Sequence, residues 1–188
     1  MASRSSRDSS STRIKPFPFR MRRSNSSTGA SCPIGGERPL TNGERALVTE
    51  VFGTAIDLDP VRLRRRRWFP FQPTGTVMAP MGHLHFAPDS PHWCDDFACA
   101  SLNAQGLFIH EMVHVWQTQQ RGRWWLPLMR HPFCRYAYTF VEGRPFTRYG
   151  IEQQAELVRH LFIAKRGHPS PEAPPLVALE KLVPFTDT

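Results

Sequence analysis

The sequence predicts an α+β domain in which a short mixed or antiparallel sheet packs on two long helices. Residues 102–116 form an apolar stretch without proline, which favours a buried helix. Residues 150–166 carry apolar side chains at helical spacing and are followed by a glycine. Between residues 61 and 86, short apolar runs alternate with prolines and glycines, as is typical of strands and turns. The length of 188 residues suits one domain with additional segments.

The first predicted helix covers residues 42–54. Thr41 and Glu44 have the spacing of a capping box, in which each side chain accepts a hydrogen bond from the other residue's backbone N–H. The apolar positions that recur at helical spacing are Leu47, Val48, Val51, Phe52 and Ala55. Gly53 is expected to end the helix, because glycine tolerates the backbone conformation that follows a last helical turn.

Three short strands are expected to follow this helix. Residues 61–64 alternate between apolar side chains and arginines, which indicates a strand with one buried face. Residues 76–78 and 83–86 are further short runs, separated by Pro80 and Gly82. Together these runs predict the small sheet.

The second half of the chain carries the long helices. One buried helix is predicted at about residues 103–120 and is expected to end at Gly122. Residues 123–135 are aromatic and irregular, and residues 136–149 are expected to form a β-hairpin that turns at a Glu-Gly-Arg step. The second long helix is predicted at residues 150–166.

Composition divides the chain into three parts. Residues 1–36 are rich in Ser and Arg and carry seven basic residues and one acid, which predicts a disordered tail. Residues 37–167 are expected to form the folded domain, and residues 168–188 a proline-rich tail with one short docking helix at 176–183. Seventeen basic and fifteen acidic residues remain from residue 37 onwards, a net charge of only +2. Nucleic-acid binding is therefore not expected, because it would depend on an unstructured arm alone.

The sequence shows no pattern typical of a membrane protein or of export. It has no run of about 18 consecutive apolar residues, the length that a membrane-spanning helix needs. No apolar segment follows the basic N-terminus, as it would in a secretory signal. Four cysteines in a chain of this length do not indicate a disulfide scaffold. We therefore expect a cytoplasmic protein without a transmembrane segment.

Residues 110–114 read His-Glu-x-x-His within the predicted buried helix. Residues four apart lie one turn apart on the same face, so His110 and His114 can direct their imidazoles at one ion. Glu111 is offset around the helix and can reach a water on that ion, where it would act as a general base. Burying three polar side chains in an apolar helix is costly unless they have partners. The motif therefore predicts a catalytic Zn²⁺ site rather than two incidental histidines.

A catalytic zinc usually has three protein ligands, and the best candidate for the third is Glu152, early in the second long helix. Glu156 lies one turn further along, where it could accept a hydrogen bond from the free ring nitrogen of His110 or His114 and orient that ring. Two alternatives stay open. The acidic pair could be a solvated helix face, or Glu156 could be the ligand and Glu152 its support.

These residues resemble the gluzincin branch of zinc metallopeptidases, in which His-Glu-x-x-His is followed downstream by Glu-x-x-x-Asp. In that branch the downstream Glu binds zinc and the Asp supports a histidine, which implies the same roles for Glu152 and Glu156 here. This chain departs from the pattern because Glu156 stands where Asp is usual. The resemblance implies a minimal zincin-like metallopeptidase domain.

Residues 38–167 also resemble small bacterial proteins labelled vgr-related. The matching runs are Arg38–Thr41, Ala79–Phe86, Leu107–Trp116 and Gly150–Arg159. This resemblance implies a zincin-like metal-binding protein without indicating a substrate. Nothing in the sequence itself is typical of a secretion spike.

Two further sites are weaker predictions. His83 and His85 share one face of a predicted strand, and we favour lining of a substrate cleft over metal binding for them. The reason is that the strand before the active helix of zincins pairs with extended substrate. Tyr149 is the better candidate for polarising a substrate carbonyl, because His160 lies two turns past Glu152 and is expected to be too far away.

The leading hypothesis is a zinc-dependent metallopeptidase or amide hydrolase that acts on a peptide or protein substrate. The zinc would activate a water, and Glu111 would take its proton and later give it to the leaving amine. The alternative is a non-catalytic interaction module that retains the zincin site and binds zinc without turnover.

Overall fold

The computed structural model describes residues 31–129 and 136–185 of the chain and shows an α+β fold. The predictions made for residues 1–30, 130–135 and 186–188 lie outside these described residues. In chain order the elements are β1 (Glu37–Pro39), α1 (Asn42–Phe52), β2 (Arg62–Arg64), β3 (Leu84–His85), a 3₁₀ turn (Phe97–Cys99), α2 (Leu102–Arg121), α3 (Trp125–Met129), a second 3₁₀ turn (Phe146–Arg148), α4 (Ile151–Lys165) and α5 (Leu176–Leu182). No helix in the described part of the chain is long and apolar enough to cross a membrane.

The predicted capping box of α1 is present. The Thr41 hydroxyl accepts a hydrogen bond from the Glu44 backbone N–H at 3.0 Å, and Glu44 Oε2 accepts one from the Thr41 N–H at 2.9 Å. The helix ends at Phe52, and Gly53 follows with a positive φ of 55°. The local signals at both ends of the helix therefore predicted its bounds correctly.

The sheet has three strands in the order β1-β2-β3 and is mixed. β1 pairs with β2 antiparallel, and β2 pairs with β3 parallel. The predicted strand at residues 76–78 is reduced to one antiparallel bridge between Met78 and His85. β1 was not predicted, because three residues that include Pro39 show no alternating pattern of their own. Leu63 and Leu84 are fully buried, so the sheet contributes one face to the core.

The predicted hairpin at residues 136–149 is wrong. No strand occurs among these residues, which have no regular structure up to Val141, turn at residues 142–143, and enter a 3₁₀ turn that Pro145 precedes. Side chains at and near the start of α4 take the place of a partner strand. Gln153 donates to the Ala137 carbonyl at 2.8 Å, and the Val141 N–H donates to the Tyr149 hydroxyl at 3.2 Å.

Helices α2 and α4 form the centre of the molecule, and both match the predicted helices closely. Their buried apolar side chains include Phe108, Ile109, Met112, Val113, Val115, Leu157, Val158, Leu161 and Phe162. The two helices approach closely at Gly106, where an added Cβ would lie 2.9 Å from Cδ1 of Ile163. A larger residue at this position would require the Ile163 side chain to move.

The C-terminal segment docks on this core through α5. Leu179 is fully buried, and the ring of Phe185 lies 4.8 Å from that of Phe52 and 5.0 Å from that of Trp116. At the other end, Cys32 is 3% exposed, and Gly35 and Arg65 are joined by a backbone hydrogen bond of 2.9 Å. Cys32 and Gly35 thus contact the folded part of the chain, and the boundary expected at residue 36 stays a prediction.

A buried ion pair joins β1 to α1. Glu44 is 0% exposed and accepts two hydrogen bonds from the Arg38 guanidinium, at 2.7 and 2.8 Å. The same carboxylate accepts the N–H groups of Thr41 and Phe97, so one side chain connects the strand, the helix start and the first 3₁₀ turn. Such a pair is costly to break, because removing one partner leaves the other charge buried and unpaired.

We expect Glu44→Ala to lower the free energy of unfolding by about 3–5 kcal/mol, because it leaves Arg38 and two backbone N–H groups without their acceptor. Urea denaturation followed by circular dichroism measures this change. Glu37→Ala is the matched control, since Glu37 pairs with Arg64 and Arg66 at the surface and its loss should cost less than about 1 kcal/mol. Equal costs for the two variants would show that the buried pair has no special role.

Candidate metal centre

The middle of α2 places three ionisable side chains in the interior. His110 and Glu111 are each 4% exposed, and His114 is 1% exposed. The helix is buried on nearly every side here, because the residues between them, Met112 and Val113, belong to the apolar core. The fold therefore surrounds the His-Glu-x-x-His motif with apolar side chains, where polar groups need partners.

Helix α4 supplies the partner. Glu152, 1% exposed, lies in the first turn of α4 and faces both histidines. Its Oε2 lies 3.3 Å from Nε2 of His110 and 3.2 Å from Nε2 of His114. In the described part of the chain these three residues form the one group of at least three His, Cys, Asp or Glu whose donor atoms all lie within 4.8 Å of one another.

The spacing of these atoms fits a small tetrahedral metal ion. Zinc binds nitrogen and oxygen donors at about 2.0–2.2 Å, so two donors of a tetrahedral site are separated by about 3.3 Å. The two distances from Glu152 to the histidines have this length. Two imidazoles and one carboxylate are also a donor set that zinc accepts, and a fourth position is left for another ligand.

Gln117 orients His114, a role that the sequence analysis missed. Nδ1 of His114 lies 2.9 Å from the Gln117 amide oxygen, which accepts its proton and leaves Nε2 with a lone pair toward Glu152. The amide nitrogen of Gln117 donates to the Ile151 carbonyl and to Oε1 of Gln154, so it also connects α2 with α4. The signal available in the sequence was its position three residues after His114 on the same helix.

Glu156 lies on the other side of His110. Its Oε1 is 2.9 Å from Nδ1 of His110, although the two groups are not aligned as a linear hydrogen bond. Arg159 approaches the same oxygen at 3.4 Å, and Nε2 of His160 lies 3.7 Å from Oε2. The structure therefore brings Glu152 to the Nε2 atoms of both histidines and Glu156 to the Nδ1 atom of one.

The carboxylates change the acid–base behaviour of His110. Burial alone would lower its pKa, but contacts with Glu152 and Glu156 and the charge of Glu111 raise the pKa to about 9. For Glu156, burial would raise the pKa, yet His110, Arg159 and His160 together lower it. In the metal-free protein at neutral pH, His110 is therefore a cation between anionic carboxylates.

Two tyrosines occupy different places around the site. The ring of Tyr136, half exposed, stacks on His110 with ring centres 6.0 Å apart. Tyr149 is buried at the start of α4, and its hydroxyl accepts the N–H of Val141. The sequence pattern indicates Tyr149 but not Tyr136, because the expected hairpin gave no reason to place residue 136 beside the motif.

His83 and His85 lie at β3, outside the group of three donors. His85 is 3% exposed, packs edge-on against Trp68 at 5.3 Å, and pairs through its backbone with Met78. Burial and the nearby Arg64 lower its pKa to about 4, so the ring is neutral at physiological pH. The structure thus gives no support for a metal site at these two histidines, and cleft lining stays a prediction.

Comparison with known proteins places the chain in a family. No family model matches the chain. Over 135 residues the chain is 41% identical to the type VI secretion system spike protein VgrG2b of Pseudomonas aeruginosa. The matched segment covers 68% of this chain but only 13% of that much longer protein.

The solved structure of the effector domain of Pseudomonas aeruginosa VgrG2b matches with a TM-score of 0.64 and 33% identity, over 85% of this chain and 87% of that domain. The similarity therefore covers most of a separately solved domain, and the two chains share a fold. This also explains why no spike pattern is visible in the sequence, since the shared part is the effector domain. The chain belongs to the family of the VgrG2b effector domain.

Proposed function

We propose that this protein is a type VI secretion effector domain that hydrolyses peptide or other amide bonds with a bound zinc ion. The main support is the position of Glu152, whose Oε2 lies within 3.3 Å of the Nε2 atoms of both histidines. His110, His114 and Glu152 would hold the ion. Glu111, beside His110 and equally buried, is the remaining acid of the motif.

The chemistry divides between the ion and the chain. A zinc ion supplies Lewis acidity, which lowers the pKa of a water and polarises a carbonyl. Glu111 accepts the proton of the attacking water and passes it to the leaving amine. Gln117 and Glu156 keep the two imidazoles oriented through the reaction. Tyr149 is retained as a candidate for carbonyl polarisation, and Tyr136, which stacks on His110, is the second candidate.

The alternative function is an interaction module with a structural zinc ion. Its support is the low exposure of the motif, since His110, Glu111, His114 and Glu152 are all at most 4% exposed. A structural zinc site is closed, whereas a catalytic site keeps one position open to water or substrate. Variants of Glu111 separate the two functions, because only the enzyme needs that carboxylate.

The relative also bears on where the protein acts. The sequence led us to expect a cytoplasmic protein, but the similar segment belongs to a secretion spike protein. We therefore propose that the domain is delivered out of the producing cell and cleaves a peptide or protein of the target. The net charge of +2 from residue 37 onwards does not favour nucleic acid as that target.

Purified protein should bind one zinc ion per chain. His110→Ala and His114→Ala should each abolish this binding, and Glu152→Gln should weaken it more than Glu156→Gln does, because a directly bound donor matters more than its support. Elemental analysis after dialysis gives the stoichiometry, and His92→Ala serves as the control. A larger effect of Glu156→Gln would show that Glu156 is the ligand and Glu152 its support.

Zinc binding should depend steeply on pH, because it displaces the proton of His110. The raised pKa means that charge pairing stabilises the metal-free fold fully below the ordinary value of 6.5, and that this contribution is lost as the pH rises through about 9. Zinc affinity should therefore rise about tenfold per pH unit over the same window. Calorimetry in buffers of different ionisation enthalpy should detect about one released proton at neutral pH; binding without proton release would contradict the assignment.

Glu111→Gln should leave zinc bound and reduce turnover by about 10²-fold or more, the usual scale for loss of a general base. Screening the wild type against a peptide library comes first, and the variant is then compared on the substrate found. If the protein is a structural module, the same substitution should leave zinc binding unchanged. The free energy of unfolding should then rise, because a buried carboxylate becomes neutral. Undiminished cleavage by zinc-loaded Glu111→Gln would exclude the proposed mechanism.

A further inference from the structure

A row of polar side chains leads away from His110, on the side opposite to Glu152. The Tyr138 hydroxyl lies 2.7 Å from Nδ1 of His160. Nε2 of His160 lies 3.7 Å from Oε2 of Glu156, and Oε1 of Glu156 lies 2.9 Å from Nδ1 of His110. Tyr138, His160 and Glu156 thus connect the segment after residue 135 with the imidazole of His110 in the candidate metal centre.

The donors and acceptors in this row are consistent with one arrangement of protons, in which each group donates to the next one toward Glu156. Burial raises the pKa of Tyr138, so its hydroxyl keeps its proton and donates to Nδ1 of His160. Burial also lowers the pKa of His160, so the ring is neutral and carries its single proton on Nε2, facing Glu156. Nδ1 of His110 lies 2.9 Å from the carboxylate of Glu156, and a proton held on Nδ1 leaves Nε2 of His110 with the lone pair that a metal needs.

Glu156 needs such support because its side chain has several rotatable bonds. Its contacts come from His110 in front and from Arg159 and His160 on its own helix. His160 is in turn fixed by Tyr138, whose segment is tied to α4 by the bond from Gln153 to the Ala137 carbonyl. The row therefore fixes the acid that orients His110, and it does so with residues outside the His-Glu-x-x-His pattern.

We propose that Tyr138 and His160 are positioning residues of the metal centre, which hold Glu156 against His110 and thereby set the affinity for zinc. This inference rests on the metal site of the proposed function but not on hydrolysis. Neither residue touches the donor atoms, so each acts only through Glu156.

The test is a titration of the metal-free full-length chain with Zn²⁺ in competition with a fluorescent chelator. Tyr138→Phe removes one hydroxyl and keeps the ring, and His160→Gln removes the imidazole. Each should raise the zinc dissociation constant by about tenfold, the lower end of the range for groups that orient metal-bound histidines. His92→Gln, in the loop before the first 3₁₀ turn, is the control and should bind as the wild type does.

Two further measurements exclude a merely structural effect. Combining Tyr138→Phe with Glu156→Gln should weaken binding no more than Glu156→Gln alone, because the tyrosine acts through that acid. Co²⁺ absorption spectra should show altered coordination in Tyr138→Phe and an unchanged spectrum in the control. Thermal unfolding of each metal-free variant checks that the protein studied is folded.

The outcomes separate this inference from the proposed function. If Tyr138→Phe and His160→Gln both fold and bind zinc as tightly as the wild type, the positioning role is overturned and the proposed metal site is unaffected. Additive effects of Tyr138→Phe and Glu156→Gln also overturn it. Absence of zinc binding by the wild type overturns both the inference and the proposed function.

Discussion

The buried carboxylate of Glu152 is the group on which the pairing of the two long helices depends. It is 1% exposed and lies between two imidazoles of the facing helix. An uncompensated charge at such a place costs several kcal/mol, so α4 packs on α2 in this register only with positive charge opposite the carboxylate. In the metal-free protein the proton of His110 supplies that charge. The centre of the helix pair is thus polar, although the surrounding contacts are apolar.

The two histidines are supported in different ways. His114 is held from its own helix by Gln117, whose amide also reaches the backbone and a side chain at the start of α4. His110 is held from the opposite helix by Glu156. Contacts between α2 and α4 therefore lie on both sides of Glu152: Gln117 of α2 donates hydrogen bonds to α4 on one side, and Glu156 of α4 approaches His110 of α2 on the other. Relative sliding of the helices would break both sets together.

The parts of the fold that the sequence predicted well are those with local signals. The bounds of α1 follow from Thr41, Glu44 and Gly53, and α2 and α4 follow from apolar periodicity. Strand β1 and the irregular segment after residue 135 could not be predicted, because their partners lie far away in the sequence or are side chains rather than strands. A period-two pattern does not distinguish a hairpin from a segment tied down by glutamine and tyrosine side chains.

The same distinction holds for the candidate site. The spacing of His110, His114 and Glu152 is visible in the sequence, because one helical turn and one downstream acid define it. Gln117 and Tyr138 were missed, since amides and tyrosines are common and their roles arise only from tertiary contacts. For this chain the charged groups of the site, Glu156 included, follow from helical spacing, whereas the neutral side chains that contact them do not.

The donors also lie far apart along the chain: 38 positions separate His114 from Glu152. An ion bound by both would act as a cross-link that closes the intervening loop, which includes α3. In the chain-entropy model, closing a loop of this size restricts the unfolded chain by about 4 kcal/mol. Metal loading would then raise the resistance of the folded domain to unfolding, and hence to proteolysis, independently of any turnover.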